Sequence, residues 1–292
     1  MYIGLVDVDG HNFPNLPLMK ISAYHKQRGD NVTWATGLEH FDAVYMSKVF
    51  TFTPDDDTIY QADEIIKGGT GYGLENKLPD EVEHIYPDYA IYPQFKEAYG
   101  FLTRGCPRNC KFCIVSKKEG LCSRQVADLS EFWRNQKTIK LLDPNLLACK
   151  DREKLLQQLI DSKAWIDFTQ GLDIRLTDKY IAEMLKKVKT KLLHFAWDNA
   201  NDDLSKNFEM VKRVTELDCR KLLAYVLTNF NSTHEQDLYR IYKLREIGVD
   251  PYVMIYDKSN APRETRLLQR WVNNKRIWRL CDKFEDFDPR IG

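Results

Sequence analysis

Gly100-Phe101-Leu102-Thr103-Arg104-Gly105-Cys106-Pro107-Arg108-Asn109-Cys110-Lys111-Phe112-Cys113 is the stretch around which the chain is organised. Its thiols stand at Cys106, Cys110 and Cys113 in a C-x3-C-x2-C pattern, after a short apolar run, Tyr99–Thr103, that reads as a strand ending at a loop. The spacing gathers three soft sulfur donors in one tight loop, which suits an iron–sulfur cluster or zinc. Zinc normally takes four protein ligands and would draw in Cys122 as the fourth. A cubane held by three cysteines leaves one iron open for chemistry. A further reading makes all of them ordinary buried thiols.

Downstream of this loop, strands and helices alternate. Thr138–Leu142, Trp165–Phe168, Lys191–Ala196, Lys221–Leu227 and Pro251–Ile255 read as strands. Between them, Arg152–Asp161, Lys179–Val188 with Asp178 as its cap, Phe208–Leu217 and Glu235–Ile247 closed by Gly248 read as helices. With Tyr99–Thr103 this makes six strands, the pattern of parallel βα units. In such folds the ligand lies at the C-terminal ends of the strands. The residues standing there are polar: Asp143 and Asn145, Gln170, Asp173 and Arg175, Asp198 and Asn199, and Asn229.

The cysteine pattern directly after a strand, with Phe112 before the last cysteine, resembles the radical S-adenosylmethionine (SAM) superfamily. The resemblance covers roughly residues 99–257 and implies an α/β fold, a partial (βα)6 TIM-like barrel. It implies a [4Fe-4S] cluster on Cys106, Cys110 and Cys113, with SAM chelating the fourth iron through its amino and carboxylate groups. Reductive cleavage of SAM, fed by an external electron donor, would give a 5′-deoxyadenosyl radical that takes hydrogen from substrate. Residue by residue, the backbone at Phe112 would contact adenine. Asp143-Pro144-Asn145 would reach the SAM amino group, although the family's G-G-E form is absent. Arg175, after Gln170 and Asp173, would pair with a carboxylate through its planar fork. Asp198 would hold the ribose diol, since a carboxylate accepts two hydrogen bonds. Asn229 to Glu235 would touch adenine, with the family's glycines replaced. The reading from another class is a non-catalytic zinc or nucleic-acid-binding module.

Residues 1–95 form a different composition. They carry 15 acids and 6 bases, net −9, whereas residues 96–292 carry 28 acids and 37 bases, net +9. The shift marks a domain boundary and suggests different partners or mutual attraction. Tyr2–Val8, Val32–Ala35 and Asp42–Phe50 read as strands, Leu16–Arg28 as a helix, and Gly68 to Gly73 as a glycine-rich turn, together a small Rossmann-like α/β domain. Residues 74–95 read as a linker. The loop Asp9-Gly10-His11-Asn12-Phe13-Pro14 resembles the D-x-H-x-x-G loop of cobalamin-binding domains, with Pro14 in place of the glycine. Ser47-Lys48-Val49 and Gly68-Gly69 follow in the order of that family's S-x-L and G-G elements. This resemblance implies His11 as a cobalt ligand and opens the alternative of a cobalamin-dependent radical SAM methyltransferase. The segment is short for a full corrin module, and the preferred reading is a degenerate domain that packs on the catalytic one.

The expected domains are therefore 1–95, 96–260 and a C-terminal helical closing segment, 261–292. In the last, Arg263, Arg266, Arg270, Lys275, Arg276 and Arg279 interleave with Trp271 and Trp278. That pattern serves either phosphates and bases or an amphipathic helix closing the catalytic domain, and the second is preferred. Apolar content of 43% and charged content of 29% are ordinary for a globular chain. No apolar run approaches the ~20 residues of a membrane helix, and Met1-Tyr2-Ile3-Gly4-Leu5-Val6-Asp7 lacks the basic flank of a signal peptide. Seven cysteines in 292 residues are not a disulfide scaffold. A cytoplasmic enzyme with a small-molecule or nucleotide-type substrate is expected.

Overall fold

β1 (Tyr2–Asp7) is an apolar run buried from Ile3 to Asp7, which suits an interior strand of a sheet. The computed structural model describes residues 1–290; positions 291 and 292 of the expected closing segment lie outside the described residues. α1 (Leu16–Gln27) starts where the Asn15 side chain accepts the Leu18 N–H at 3.2 Å. β2 (Asn31–Trp34), β3 (His40–Ser47) and β4 (Gln61–Gly68) complete an all-parallel sheet in the order β2-β1-β3-β4. Only the β1-to-β2 crossover is helical. Residues 35–39 and 48–60 carry the other two without a helix, so this is a pared-down Rossmann-like layer. β4 leaves no hydrophobic pattern in the sequence, because its side chains are largely exposed. Backbone pairing with β3, and no buried face of its own, makes it a strand.

The stretch 74–95, expected as a linker, is fastened to both halves. It contains α2 (Asp80–Glu83), and Glu83 takes Lys20 Nζ at 3.1 Å from one side and Arg104 at 3.5 Å from the other. Tyr92 donates its hydroxyl to buried Asp7 at 2.7 Å. Tyr89 donates to the Phe132 carbonyl at 2.6 Å and accepts the Tyr99 N–H at 3.1 Å.

β5 (Ala98–Gly100) is shorter than the expected Tyr99–Thr103 strand, for two reasons. The ring of Phe132 fills the space where a side chain on residue 100 would go, so the strand passes there only as Gly100. The N–H groups of Leu102 and Thr103 are then taken by the Asp143 carboxylate at 3.1 and 2.5 Å in place of a sheet neighbour. The chain turns into β6 (Thr103–Arg104), makes the cysteine loop and α3 (Val115–Glu119), and returns as β7 (Arg124–Gln125), antiparallel to β6.

The remaining elements are β8 (Thr138–Leu141), α4 (Arg152–Ser162), β9 (Trp165–Phe168), α5 (Lys179–Lys187), β10 (Leu193–Ala196), α6 (Ser205–Thr215), β11 (Leu222–Thr228), α7 (His234–Ile247), β12 (Asp250–Ile255), α8 (Arg263–Asn273) and α9 (Lys275–Leu280). Parallel ladders join β5-β8-β9 and β10-β11-β12. Parallel bridges Ile166–Thr190 and Leu172–Phe195 cross the seam between them. The helices cover one face, where Ile139, Ile166, Phe195 and Val226 meet Leu155, Leu185, Phe208 and Leu244 in one apolar core. Arg240 of α7 is fully buried and binds the Trp197 and Leu227 carbonyls at 2.6 and 2.9 Å, tying the ends of β10 and β11. Trp271 and Trp278 are buried, and Arg245 stacks over the Trp278 ring at 3.6 Å. The basic–aromatic tail thus closes the core and leaves no indole face open for a base. Among the described residues no helix is long and apolar enough to cross a membrane.

Asp143 generates a stability prediction. Burial pushes its carboxyl from the ordinary 3.8 up to about 6, against hydrogen bonds from Thr103 and Leu102 that pull it down. The unfolded chain therefore gives up this proton first as pH rises. The carboxyl's favourable share is present below pH 3.8 and is lost by about pH 6. Asp143→Asn should cost about 1–3 kcal/mol, because an amide cannot accept all the donors now aimed at the carboxylate. Urea unfolding across that pH range should also show a shallower decline in the variant, and an unchanged slope would refute the assignment.

Candidate functional site

The cysteine loop is clipped shut at its base. Gly105 has φ +89, and a Cβ there would lie 2.2 Å from the Cys122 carbonyl oxygen, so only glycine passes. Glu119 accepts the Gly105 N–H at 3.1 Å and pairs with Arg104 at 3.0 Å. The Cys106 N–H donates to the Gly120 carbonyl at 3.2 Å, and the Cys113 N–H to Cys110 at 3.0 Å. Asn109, at φ 48, makes the turn between the first two thiols.

Cys106, Cys110 and Cys113 are all free and partly exposed. Burial pushes the Cys110 thiol up; the charges of Asp198, Cys106 and Cys113 add to this, and Arg175 opposes it. The charges that act on Cys110 are thus those of the other two thiols and of groups following β9 and β10. Cys122 is exposed and turns its thiol to the Ser123 carbonyl at 3.7 Å. Among the described residues no three His, Cys, Asp or Glu side chains are grouped to hold a single metal ion.

The strand-end residues divide by what they touch. Asp143 is buried and spends its oxygens on Leu102 N–H and on the N–H and hydroxyl of Thr103. Asn145 is equally buried. Its amide nitrogen reaches Cys106 Sγ at 3.5 Å and Asp173 at 3.3 Å, while its Oδ1 has no hydrogen-bond partner. Asp173 is a junction: it takes Arg108 Nε of the cysteine loop at 2.5 Å and Arg175 at 3.4 Å. Arg175 also reaches Asp202 at 3.2 Å. Asp198 is pushed up to about 6 by burial, with Arg240 and Arg175 pulling down and Asp173 pushing up. Gln170 is exposed. Phe112 meets Phe230 edge-on at 5.4 Å, and Phe230 meets Tyr256 at 5.0 Å, so the cysteine loop touches the ends of β11 and β12. Asn229, at φ 60, donates to the Tyr256 carbonyl at 2.8 Å.

Arg108, Asp202, Phe230 and Tyr256 were not singled out from the sequence. Arg108 lay inside the quoted loop and Phe230 beside Asn229, so adjacency was the available signal. Asp202 could be found only from the fold.

His11 stands apart. Its backbone is at φ 58, its N–H donates to Asp7 at 3.2 Å, and its ring meets Trp34 edge-on at 4.3 Å. Ser47 accepts the Asn15 amide at 2.9 Å. A Cβ on Gly69 would lie 2.3 Å from the Lys48 carbonyl oxygen, so the space beside this glycine is filled by the protein's own backbone. The neighbouring turn reaches the cysteine loop, where Lys118 donates to Thr70.

No family model and no curated protein sequence matches the chain. Among solved structures, the radical S-adenosylmethionine methyltransferase TsrM from Kitasatospora setae, with cobalamin and a [4Fe-4S] cluster bound, superimposes with a TM-score of 0.66 at 10% identity, covering 87% of this chain and 74% of that one. The chain thus has a mixed α/β fold with parallel sheets, similar to that of a radical SAM enzyme, along most of its length.

Proposed function

We propose that the chain is a radical SAM enzyme whose six bridged strands form a partial (βα)6 barrel. The observation that carries this is Asn145 Oδ1, a buried oxygen without a donor beside a loop of three free thiols. An orphaned buried acceptor costs about 1–3 kcal/mol, which an incoming N–H donor would recover. The donor set therefore fits both groups: three thiols for a [4Fe-4S] cluster, and an amide oxygen for the SAM ammonium. When bound, that cluster supplies an electron for SAM cleavage to the 5′-deoxyadenosyl radical.

The chain's own residues would do the rest. Glu119 and Gly105 hold the loop closed, and Asp143 fixes its entry. Asn145 accepts the ammonium. Arg175 presents its fork to the SAM carboxylate, and exchanging Asp202 for that carboxylate keeps the charge balanced. Asp198 accepts the ribose hydroxyls. Phe112 and Phe230 form the adenine wall, with Asn229 holding the β11 end beside it. The electron donor is external, and the substrate is a small molecule or nucleotide-type compound.

The solved neighbour holds cobalamin, and the corresponding turns of this chain lie in residues 1–95. There Gly69 is packed against Lys48, and Ser47 is occupied by Asn15. These groups do not fit a corrin tail, and no step is assigned to cobalamin.

Three outcomes are expected. Anaerobic reconstitution should load iron and sulfide and give 5′-deoxyadenosine from SAM under dithionite. Cys110→Ala should lose both; full cleavage by that variant would sink the proposal. Asn145→Ala should keep its iron content but bind SAM about tenfold more weakly, the loss of one charge-assisted hydrogen bond; equal affinity would remove Asn145 from the site. Hydroxocobalamin should pass through desalting without being retained, whereas a stoichiometric bound corrin would move the assignment to cobalamin-dependent methyl transfer.

A further inference from the structure

The face of the six strands turned away from the helices carries one polar or aromatic side chain from every strand, and these form a chain of neighbours. Lys140 of β8 lies over the Tyr99 ring of β5 at 5.4 Å. Lys140 stands opposite Asp167 of β9 in the sheet register. Asp167 is 4.0 Å from His194 Nδ1 of β10. The His194 ring lies 5.5 Å from Tyr225 of β11, which lies 5.9 Å from Tyr252 of β12.

A closed barrel fills this face with bulky branched side chains. Here it is titratable and partly open. The Asp167 side chain is 37% exposed, and Tyr252 and Met254 of β12 keep 40% and 47% of their surface. The strand-end site described above uses none of these residues.

The tautomer of His194 follows from its partner. Nδ1 lies 3.3 Å from the Phe168 carbonyl oxygen, which only accepts, so Nδ1 carries the proton. In the neutral ring Nε2 then holds a lone pair, and Asp167 offers a counter-charge if that nitrogen is protonated.

We infer that this face is the substrate site, in which His194 Nε2 takes a proton from an N–H or O–H of a small, flat, unsaturated substrate lying against Tyr225 and Tyr252. The substrate's N–H or O–H bond breaks, its electron pair stays on the substrate, and a new N–H bond forms at Nε2. Asp167 balances the imidazolium, and Lys140 offsets Asp167 in the resting site. The flat frame is called for by two tyrosine rings at 88° to one another and by the open Met254 side chain. That this proton leaves the substrate of a radical reaction rests on the function proposed above; the site itself does not.

The test uses the reconstituted full chain and 4-nitrophenol, a flat O–H acid whose colour reports its deprotonation. Diethyl pyrocarbonate should acylate His194, read by peptide mass spectrometry, and 4-nitrophenol should slow that reaction several-fold. Below the probe's own pKa, the wild type should raise its phenolate absorbance and His194→Gln should not. No protection of His194, or equal absorbance in wild type and His194→Gln, overturns the inference. Formation of 5′-deoxyadenosine without a probe, measured in parallel, separates the two readings. If the wild type cleaves no SAM while His194 still binds the probe, only the radical assignment falls. If SAM is cleaved and His194 ignores the probe, only this inference falls.

Discussion

The carboxylate of Asp143 decides where the cysteine loop stands. The ladder between β5 and β8 ends at Gly100 and Leu141, so the N–H groups of Leu102 and Thr103 find no acceptor on the β8 backbone. Their N–H groups are buried, and a buried N–H without an acceptor is expensive. Asp143 supplies the acceptor from the end of β8 and also takes the Thr103 hydroxyl at 2.7 Å. Burial works against its charge and the donors work for it, and the outcome is a carboxyl pushed up to about 6. Two residues on, Asn145 lies against Cys106 with an oxygen to spare. One short turn after β8 therefore both anchors the loop and faces the thiols.

The N-terminal layer is part of the same construction. Glu83 sits between Lys20 and Arg104, so one acid bridges α1 and the strand that leads into the cysteines. His84 pairs with Glu131 at 2.9 Å, and Tyr89 bridges two carbonyl-bearing segments of the C-terminal half. The opposite net charges of the halves are expressed in a few specific contacts, since exposed pairs contribute little each. Lys118 on Thr70 brings the glycine turn to the far side of the cysteine loop. The glycines at 69 and 71 are explained by close packing on Lys48, which accounts for their presence without a ligand.

What the sequence showed depended on how each residue is held. The strands β8, β9, β10 and β12 and the helices among them were legible because they bury alternating or amphipathic sets, and β11 because it is a nearly continuous buried apolar run; Trp165–Phe168 agrees end to end, and Asp178 caps α5 as read. β4 was not legible because its pairing is carried by backbone, with side chains that stay in solvent. The early end of β5 was not legible because it depends on Phe132 and Asp143, both distant in sequence. At the site, the three thiols and the polar strand ends were visible from spacing. The division of labour between Asp143, committed, and Asn145, open, was not, since both are acceptors two positions apart. The row from Tyr99 to Tyr252 was hidden for another reason: alternation announces which residues are buried, and from Lys140 to Tyr252 the row consists of the residues left between them.

Asp198 shows how the surrounding charges prepare the strand ends. Arg240 lies close enough to influence it but gives its N–H groups elsewhere: to the Trp197, Asp198 and Leu227 carbonyls and to Asp237. Arg175 is likewise engaged by Asp173 and Asp202. Asp198 thus feels two guanidinium charges at a distance, is repelled by Asp173, and has burial as its dominant influence. A carboxyl in that position gains from any neutral hydroxyl donors that arrive, because they stabilise its charge without displacing an existing ion pair. A vicinal diol brings two such donors and no charge. In the proposed reading, that is why the ribose belongs at Asp198 and the charged end of SAM belongs at Asn145 and Arg175, where a cation and an anion each meet a group able to answer them.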